Sequence, residues 1–454
     1  MQLNTQGVLS QKQDKTRVGT ALAAATLSLL GVGEAVAKGQ PGEWDVDTAI
    51  LFYSETDDRV QAVEPVVSAT RNFEDDRSLN LKAVADTLTG ASPTGATPSD
   101  EVQTLTKPSG NGNYTIQPGE QVLDDTFLDT RGTVSATWSA PINRDYSYTL
   151  GAYGSTEYDY TSVALNGSLS RYLNNKNTTL NLGLSLGSDF IDPEGGIPVG
   201  LSPMALQTNV SDSEFDQAFA ASREGSDDTK TVADLLMGVT QVIDKRTVMQ
   251  FNYSLSLSSG YLTDPFKILS VIDDSPGSNF GGNLQDGNGN NLYVYEQRPD
   301  SRMKHAVYWQ TKHLLGNGDV VDGSYRFMVD DWGISSHTVD LRYRWIFGSQ
   351  YLEPHLRYYL QSEADFYKRF LTANEYNGGA PAFSEASADY RLGDMDSVTL
   401  GLKWGYHLND NQELSIRAEY MQQSNSGDDG FGRLAGQELY PDTSAFWLQL
   451  GYSF

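Results

Sequence analysis

The 454-residue chain has no cysteine, so neither a disulfide framework nor a thiolate metal centre can hold it together. Positive charge is scarce: 32 Lys and Arg stand against 59 Asp and Glu, a formal charge of −27. Phosphate contacts need clustered Lys and Arg, so this balance speaks against nucleic acid as a partner and favours cations. The five histidines are scattered and show no metal-ligand spacing. Long apolar runs are missing too. The stretch Ala21 to Leu30 is too short and too early for a membrane-spanning helix.

That stretch follows Lys12, Lys15 and Arg17 and precedes Ala35-Val36-Ala37, the layout of a secretory signal peptide over 1–37. Cleavage would leave Lys38 first and would remove three cations together with Asp14 and Glu34, taking the charge from −27 to about −28. With no cysteine, a lipid-anchored lipoprotein is excluded, and a chain crossing an oxidising compartment is accommodated.

Aromatic residues, by contrast, are plentiful: 25 Tyr, 17 Phe and 7 Trp, too many for a disordered chain despite a mean hydropathy of −0.43. They sit in two-faced segments. Leu180, Leu182, Leu184 and Leu186 alternate with Asn181, Gly183, Ser185 and Gly187. Val339, Leu341, Tyr343 and Trp345 alternate with Asp340, Arg342 and Arg344, and Val398, Leu400, Leu402 and Trp404 with Thr399, Gly401 and Lys403. A soluble sandwich alternates as well, but rarely places so many charges on the second face. The pattern predicts an all-β protein, a transmembrane antiparallel up-and-down β-barrel formed by residues 38–454.

About sixteen strands are expected, an even number as single-chain bacterial barrels require. They lie near 44–55, 59–70, 77–89, 129–140, 145–157, 160–172, 178–189, 230–243, 247–259, 302–314, 320–331, 335–347, 351–367, 391–407, 412–423 and 444–454. Connections after even-numbered strands are short. The long ones, near 90–128, 190–229, 260–301, 368–390 and 424–443, follow odd-numbered strands. This parity predicts periplasmic turns, outer loops and two periplasmic termini. No helical domain or plug is predicted, and the Gly- and Pro-rich stretch 90–118 reads as a loop with no demand for a fixed fold. The closing strand ends on Phe454 and resembles the signal read by the barrel-assembly machinery, except that Gln449 stands where glycine is usual.

The polar face of each strand should line the lumen. It carries Lys82, Asp86, Asp129, Arg131, Glu157, Lys304, Lys312, Asp322, Arg326, Asp330, Asp340, Arg342, Arg344, Glu353, Arg357, Glu363, Asp365, Lys403, Arg417 and Glu419. Of these, Arg326, Asp340, Arg342, Arg344, Arg357 and Glu363 are the strongest candidates for a field that selects charged or polar solutes. The alternative is a paired network filling a narrow interior.

Acidic residues near the outer rim, Glu157, Asp159, Asp264, Asp330 and Asp365, are candidate Ca²⁺ or Mg²⁺ ligands. Asp286-Gly287-Asn288-Gly289-Asn290 matches half of a calcium-loop pattern, with Asn291 and Gln297 where glycine and glutamate belong. Ser335, Ser336 and His337 beside Asp330 and Asp331 are the residue types of a rim hydrolase. His337, however, shares the outward parity of Val339, and no nucleophile motif is present. No catalytic residue and no cofactor is expected.

Several runs carry a family resemblance: Asp129-Thr130-Arg131 with Trp138, Glu157-Tyr158-Asp159-Tyr160, and Asn177 to Leu180 followed by Gly195-Gly196-Ile197-Pro198. Tyr261 to Lys267, Asp330 to Ile334 with Ser336-His337-Thr338, and Arg357-Tyr358-Tyr359 with Ala364 to Tyr367 add to it. Together they resemble domain-of-unknown-function family 3570 over nearly the whole mature chain. The resemblance implies an outer-membrane barrel of unassigned activity, with at most a link to extracytoplasmic redox systems. The expected function is a channel or transporter for small polar or charged solutes, in contact with outer-membrane lipid and lipopolysaccharide. The rival reading is a surface binding or scaffold barrel.

Overall fold

Residues on alternate sides of a strand can satisfy lipid and polar surroundings at once, provided that no strand edge is left unpaired. The computed structural model describes residues 42–56, 59–124 and 128–454, and shows how this chain meets that condition. The signal-peptide reading of 1–37 lies outside the described residues. Sixteen antiparallel strands close into one barrel. They are β1 (Trp44–Glu55), β2 (Gln61–Asn72), β3 (Ser78–Thr89), β4 (Leu128–Pro141), β5 (Tyr146–Thr156), β6 (Tyr160–Leu173), β7 (Thr178–Ile191) and β8 (Asp228–Val242), then β9 (Thr247–Gly260), β10 (Ser301–Leu314), β11 (Val320–Asp330), β12 (Ser335–Phe347), β13 (Gln350–Gln361), β14 (Asp394–Asn409), β15 (Gln412–Ser426) and β16 (Thr443–Ser453).

Closure joins the two ends of the chain. β16 runs antiparallel to β1 from Asp47↔Ser453 to Glu55↔Ala445, and Val46 and Phe454 exchange backbone hydrogen bonds of 2.7 and 2.9 Å. The outer face is apolar: Leu165, Leu186 and Val134 are 69%, 66% and 64% exposed, an arrangement that is stable only against lipid. Near the short-turn end the outward faces carry aromatic pairs, Trp345 with Phe347, Trp404 with Tyr406 and Tyr452 with Phe454. Such aromatics form the girdle expected at a membrane interface.

The largest departure from the sequence reading is at the long-loop end. The loops there fold together. Gln103–Thr106 pairs with Asn113–Ile116, and Ile268–Ile272 pairs with Tyr293–Tyr295 on one side and, in parallel, with Leu371–Thr372 on the other. A capped helix, α1 (Asp212–Ala221), starts at Ser211, whose hydroxyl accepts from the Glu214 N–H. Thr97 N–H donates to Ser270 Oγ at 3.0 Å, Thr106 Oγ1 to Ala205 O at 2.7 Å, and Arg433 N–H to Phe280 O at 3.0 Å. Arg369 Nη1 donates to Gly95 O at 2.6 Å. These bonds join the β3–β4, β7–β8, β9–β10, β13–β14 and β15–β16 loops, which leave the wall at widely separated points, so their union bridges the opening.

Leu105, Leu269, Val271, Tyr293, Val294 and Leu371 are all 0% exposed within this cap. Segment 90–118 is thus folded, contrary to the loop reading, because Leu105 is drawn into an apolar core with Ile268 and Tyr293. Two strand limits also shift. β13 ends at Gln361 instead of running to 367, because Ala364 and Phe366 turn into a buried cluster with Leu262, Trp332 and Leu392. β14 starts at Asp394 for the same reason.

Candidate functional site

The interior has two unlike halves. On β5–β9 many inward positions are small and neutral: Thr149, Gly151 and Ser155, then Ser162, Ser168 and Ser170, then Gly183, Ser185 and Gly187, then Asn252, Ser256 and Ser258, while Tyr153 on β5 and Val232 and Leu236 on β8 are larger. Asp189, Lys230 and Asp234 are buried charged residues of that face, and the first two pair at 2.8 Å near the long-loop end. On β10–β15 the inward cations are Arg302, Lys304, Lys312, Arg326, Arg342, Arg344, Arg357, Lys403 and Arg417; the inward anions are Asp322, Asp330, Asp340, Glu353, Glu413 and Glu419. Cations are in excess on this half of an otherwise acidic chain.

The charges of this wall form a chain of contacts across β12–β15. Arg344 Nε lies 2.7 Å from Glu353 Oε2, and Arg417 reaches Glu353 at 3.5 Å and Glu419 at 3.0 Å. His355 bridges Glu419 at 3.0 Å and Asp340 at 2.9 Å, while Arg342 and Arg357 approach Asp340 at 3.4 and 3.5 Å. Tyr351 donates to Glu413 at 2.8 Å, and Lys403 lies 3.6 Å from the same oxygen. Two glycines on β14 make room. A Cβ at Gly401 would meet Glu419 Cγ at 2.7 Å, and one at Gly405 would meet the Tyr351 ring at 2.2 Å.

A second ionic cluster lies inside the cap and is sealed. Arg298 meets Glu296 at 2.6 Å and Asp389 at 2.7 Å; Arg391 grips Asp389 and reaches Asp264 at 2.7 Å. Asp264 N–H donates to Glu296 Oε1 at 2.7 Å, and Lys267 donates to Pro93 O. Burial would raise the Asp389 carboxyl, but Arg391 and Arg298 outweigh it and hold the group far below the usual carboxylate range. Burial pushes Glu296 up and Lys267 down. Between cap and wall, a cleft of about 50 Å³ lies among Arg59, Arg369, Tyr390 and Tyr440, room for a water or two.

The structure brings Asp340, Arg342, Arg344 and Arg357 together on one wall, and Arg326 shares the inward face of β11 with Asp322 and Asp330. Glu363 is displaced. It is exposed beyond the end of β13, its N–H bonded to Asp394 Oδ1 at 2.8 Å, so it sits at the rim and not along the lumen. Burial and the charges of Asp394 and Asp428 raise its carboxyl.

Among the acidic candidates, Glu157 and Asp159 meet at one place, joined by Asp129. Asp264 is paired with Arg391, and Asp330 with Arg302, while its other oxygen caps the N–H groups of Trp332 and Ile334. Asp264 and Asp330 are thus occupied elsewhere, while the Asp365 carboxylate lies against Gly333, apart from the Asp129 group. Asp286 likewise caps its own turn, accepting from Asn288 and Asn290. His337 faces outward and is bonded to Tyr325 at 2.7 Å; Ser336 faces inward.

Metal-ligand spacing does not single out His355, yet its strand parity places it on the face of Glu353 and Arg357. Glu296, Arg298, Asp389 and Arg391 had no such signal. Their pairing depends on two loops meeting.

The family described as "Protein of unknown function (DUF3570)" matches residues 19–454. The chain belongs to that family. Among curated proteins none matches it. Solved structures similar to it include the CymD monoaromatic hydrocarbon channel, 9% identical with a TM-score of 0.39, covering 96% of this chain and 91% of that one. OprB of Pseudomonas putida is 10% identical with a TM-score of 0.42, covering 94% and 97%. The R480A mutant of the ferric enterobactin receptor of Pseudomonas aeruginosa is 10% identical with a TM-score of 0.41; the match covers 90% of this chain and 60% of the receptor.

Proposed function

We propose that the protein is a channel or transporter for small polar or charged solutes in the bacterial outer membrane. The cap faces outward as a gate, and both termini lie in the periplasm. The observation that supports this reading is the contrast within the lumen. A purely space-filling network would need long side chains all round, whereas β5–β9 present Ser, Gly or Thr at many inward positions, opposite a cation-rich wall. Solutes with anionic or strongly polar groups suit that wall. Lipid and lipopolysaccharide would contact the apolar exterior, and the assembly machinery would read the strand ending at Phe454.

Planar-bilayer recordings test the proposal. The intact protein should show small or rare step currents, and removal of residues 95–120 from the cap should make them large and frequent. A barrel that stays silent in both forms at every voltage is not a channel. That outcome would favour a surface binding barrel, a reading supported by the apolar cores that hold five loops together.

A further inference from the structure

Asp129 stands at the long-loop end of β4, 8% exposed, and its Oδ1 has no hydrogen-bond partner among the described residues. A buried carboxylate oxygen in that condition has lost its water without replacement. Next to it, Glu157 and Asp159 flank Tyr158 in the tight turn between β5 and β6, which is closed by the Glu157 N–H donating to Tyr160 O at 2.8 Å. One oxygen from each of the three carboxylates lies within 4.8 Å of the others. Inward basic side chains of β4 and β8 are engaged with other acids: Arg131 with Asp86 at 2.9 Å and Lys230 with Asp189 at 2.8 Å.

We propose that Asp129, Glu157 and Asp159 bind a calcium ion. Oxygens sharing one Ca²⁺ at about 2.3–2.6 Å can stand at most about 5 Å apart, so the spacing suits a common ion. Ca²⁺ tolerates irregular ligand arrangements, as a turn meeting a strand provides; Mg²⁺ demands a near-ideal octahedron and shorter bonds. Bound there, the ion satisfies the orphaned Asp129 oxygen and ties the β5–β6 turn to β4. The site fixes the rim of the small-residue half and does not depend on whether the lumen conducts.

Purified full-length barrel in detergent free of lipopolysaccharide is titrated with Tb³⁺, whose luminescence Tyr158 and Tyr160 are placed to sensitise. Wild type should give luminescence that Ca²⁺ displaces, and Ca²⁺ should raise its melting temperature. Asp129→Asn and Glu157→Gln should each weaken Ca²⁺ by about tenfold or more, whereas Asp286→Asn should leave it unchanged. No displaceable luminescence in the wild type, or wild-type affinity in both site variants, would overturn the proposal. Should Asp129→Asn fail to fold, Glu157→Gln and Asp159→Asn, at half-buried positions, decide the matter alone.

Discussion

Two ionic clusters in one molecule are solved differently. In the cap, Asp264, Glu296 and Asp389 balance Lys267, Arg298 and Arg391, and Asp389 is 1% exposed. On the wall of β10–β15, the cations outnumber the anions, and Arg342, Arg344 and Arg357 keep 16–20% of their side chains accessible. A balanced, dry cluster specifies one arrangement, since removing a member strands its partner in a low-dielectric site. An unbalanced, partly wet cluster leaves attraction over for something mobile. On the proposed channel reading the cap cluster is structural and the wall cluster functional, and the variants below are chosen to break that distinction.

The largest effect should come from Asp389→Asn, which leaves Arg298 and Arg391 without their shared partner and should cost the cap about 3–5 kcal/mol. Limited proteolysis of the loops reports it, while the heat-modifiable mobility of the barrel on gels should persist. If barrel and cap melt together, they are one cooperative unit and the comparison fails. A carboxyl held below its unfolded value stabilises the fold fully above about pH 4, and that stabilisation fades as pH falls through the folded value. Wild type and Asp389→Asn should accordingly differ most near neutrality and converge in strong acid. Glu296, whose carboxyl is raised by burial and in part by Asp389, contributes with the opposite sign and loses part of that shift in the variant. Leu269→Ala should follow at about 2–4 kcal/mol, a cavity in the same cap, with equal sensitivity to protease and no pH dependence.

The barrel was legible in the sequence because lipid enforces a period of two over its full height, and the parity of short and long connections fixed the strand count. The wall was legible for the same reason: Asp340, Arg342, Arg344 and Arg357 each follow from their face. The cap was not. Ile268-Leu269-Ser270-Val271-Ile272 is apolar except for Ser270, a pattern for a strand buried on both faces, but it lies between turn residues that predict a loop. Alternation from Tyr359 to Tyr367 predicts a strand through Glu363 and Asp365; Trp332, packed edge-on against Phe366 with ring centres 5.1 Å apart, takes that segment out of the wall. Contacts between distant loops leave no local signature.

Smaller effects should come from the lumen and should appear in conductance instead of stability. Ser256→Arg adds a long cation to the small-residue half, opposite Asp234 in the strand register, and should lower the current of the cap-deleted barrel. Arg357→Ser is the gentlest change. Its guanidinium lies 3.5 Å from Asp340 with a fifth of the side chain accessible, and Asp340 keeps both His355 and Arg342, so the stability loss should stay under about 1 kcal/mol. Removing one of the surplus cations should nonetheless move the reversal potential toward cation preference in a salt gradient. An unchanged reversal potential in Arg357→Ser, with current intact, would mean that the wall charges are as fully neutralised as those in the cap, and that the two clusters differ in place but not in role.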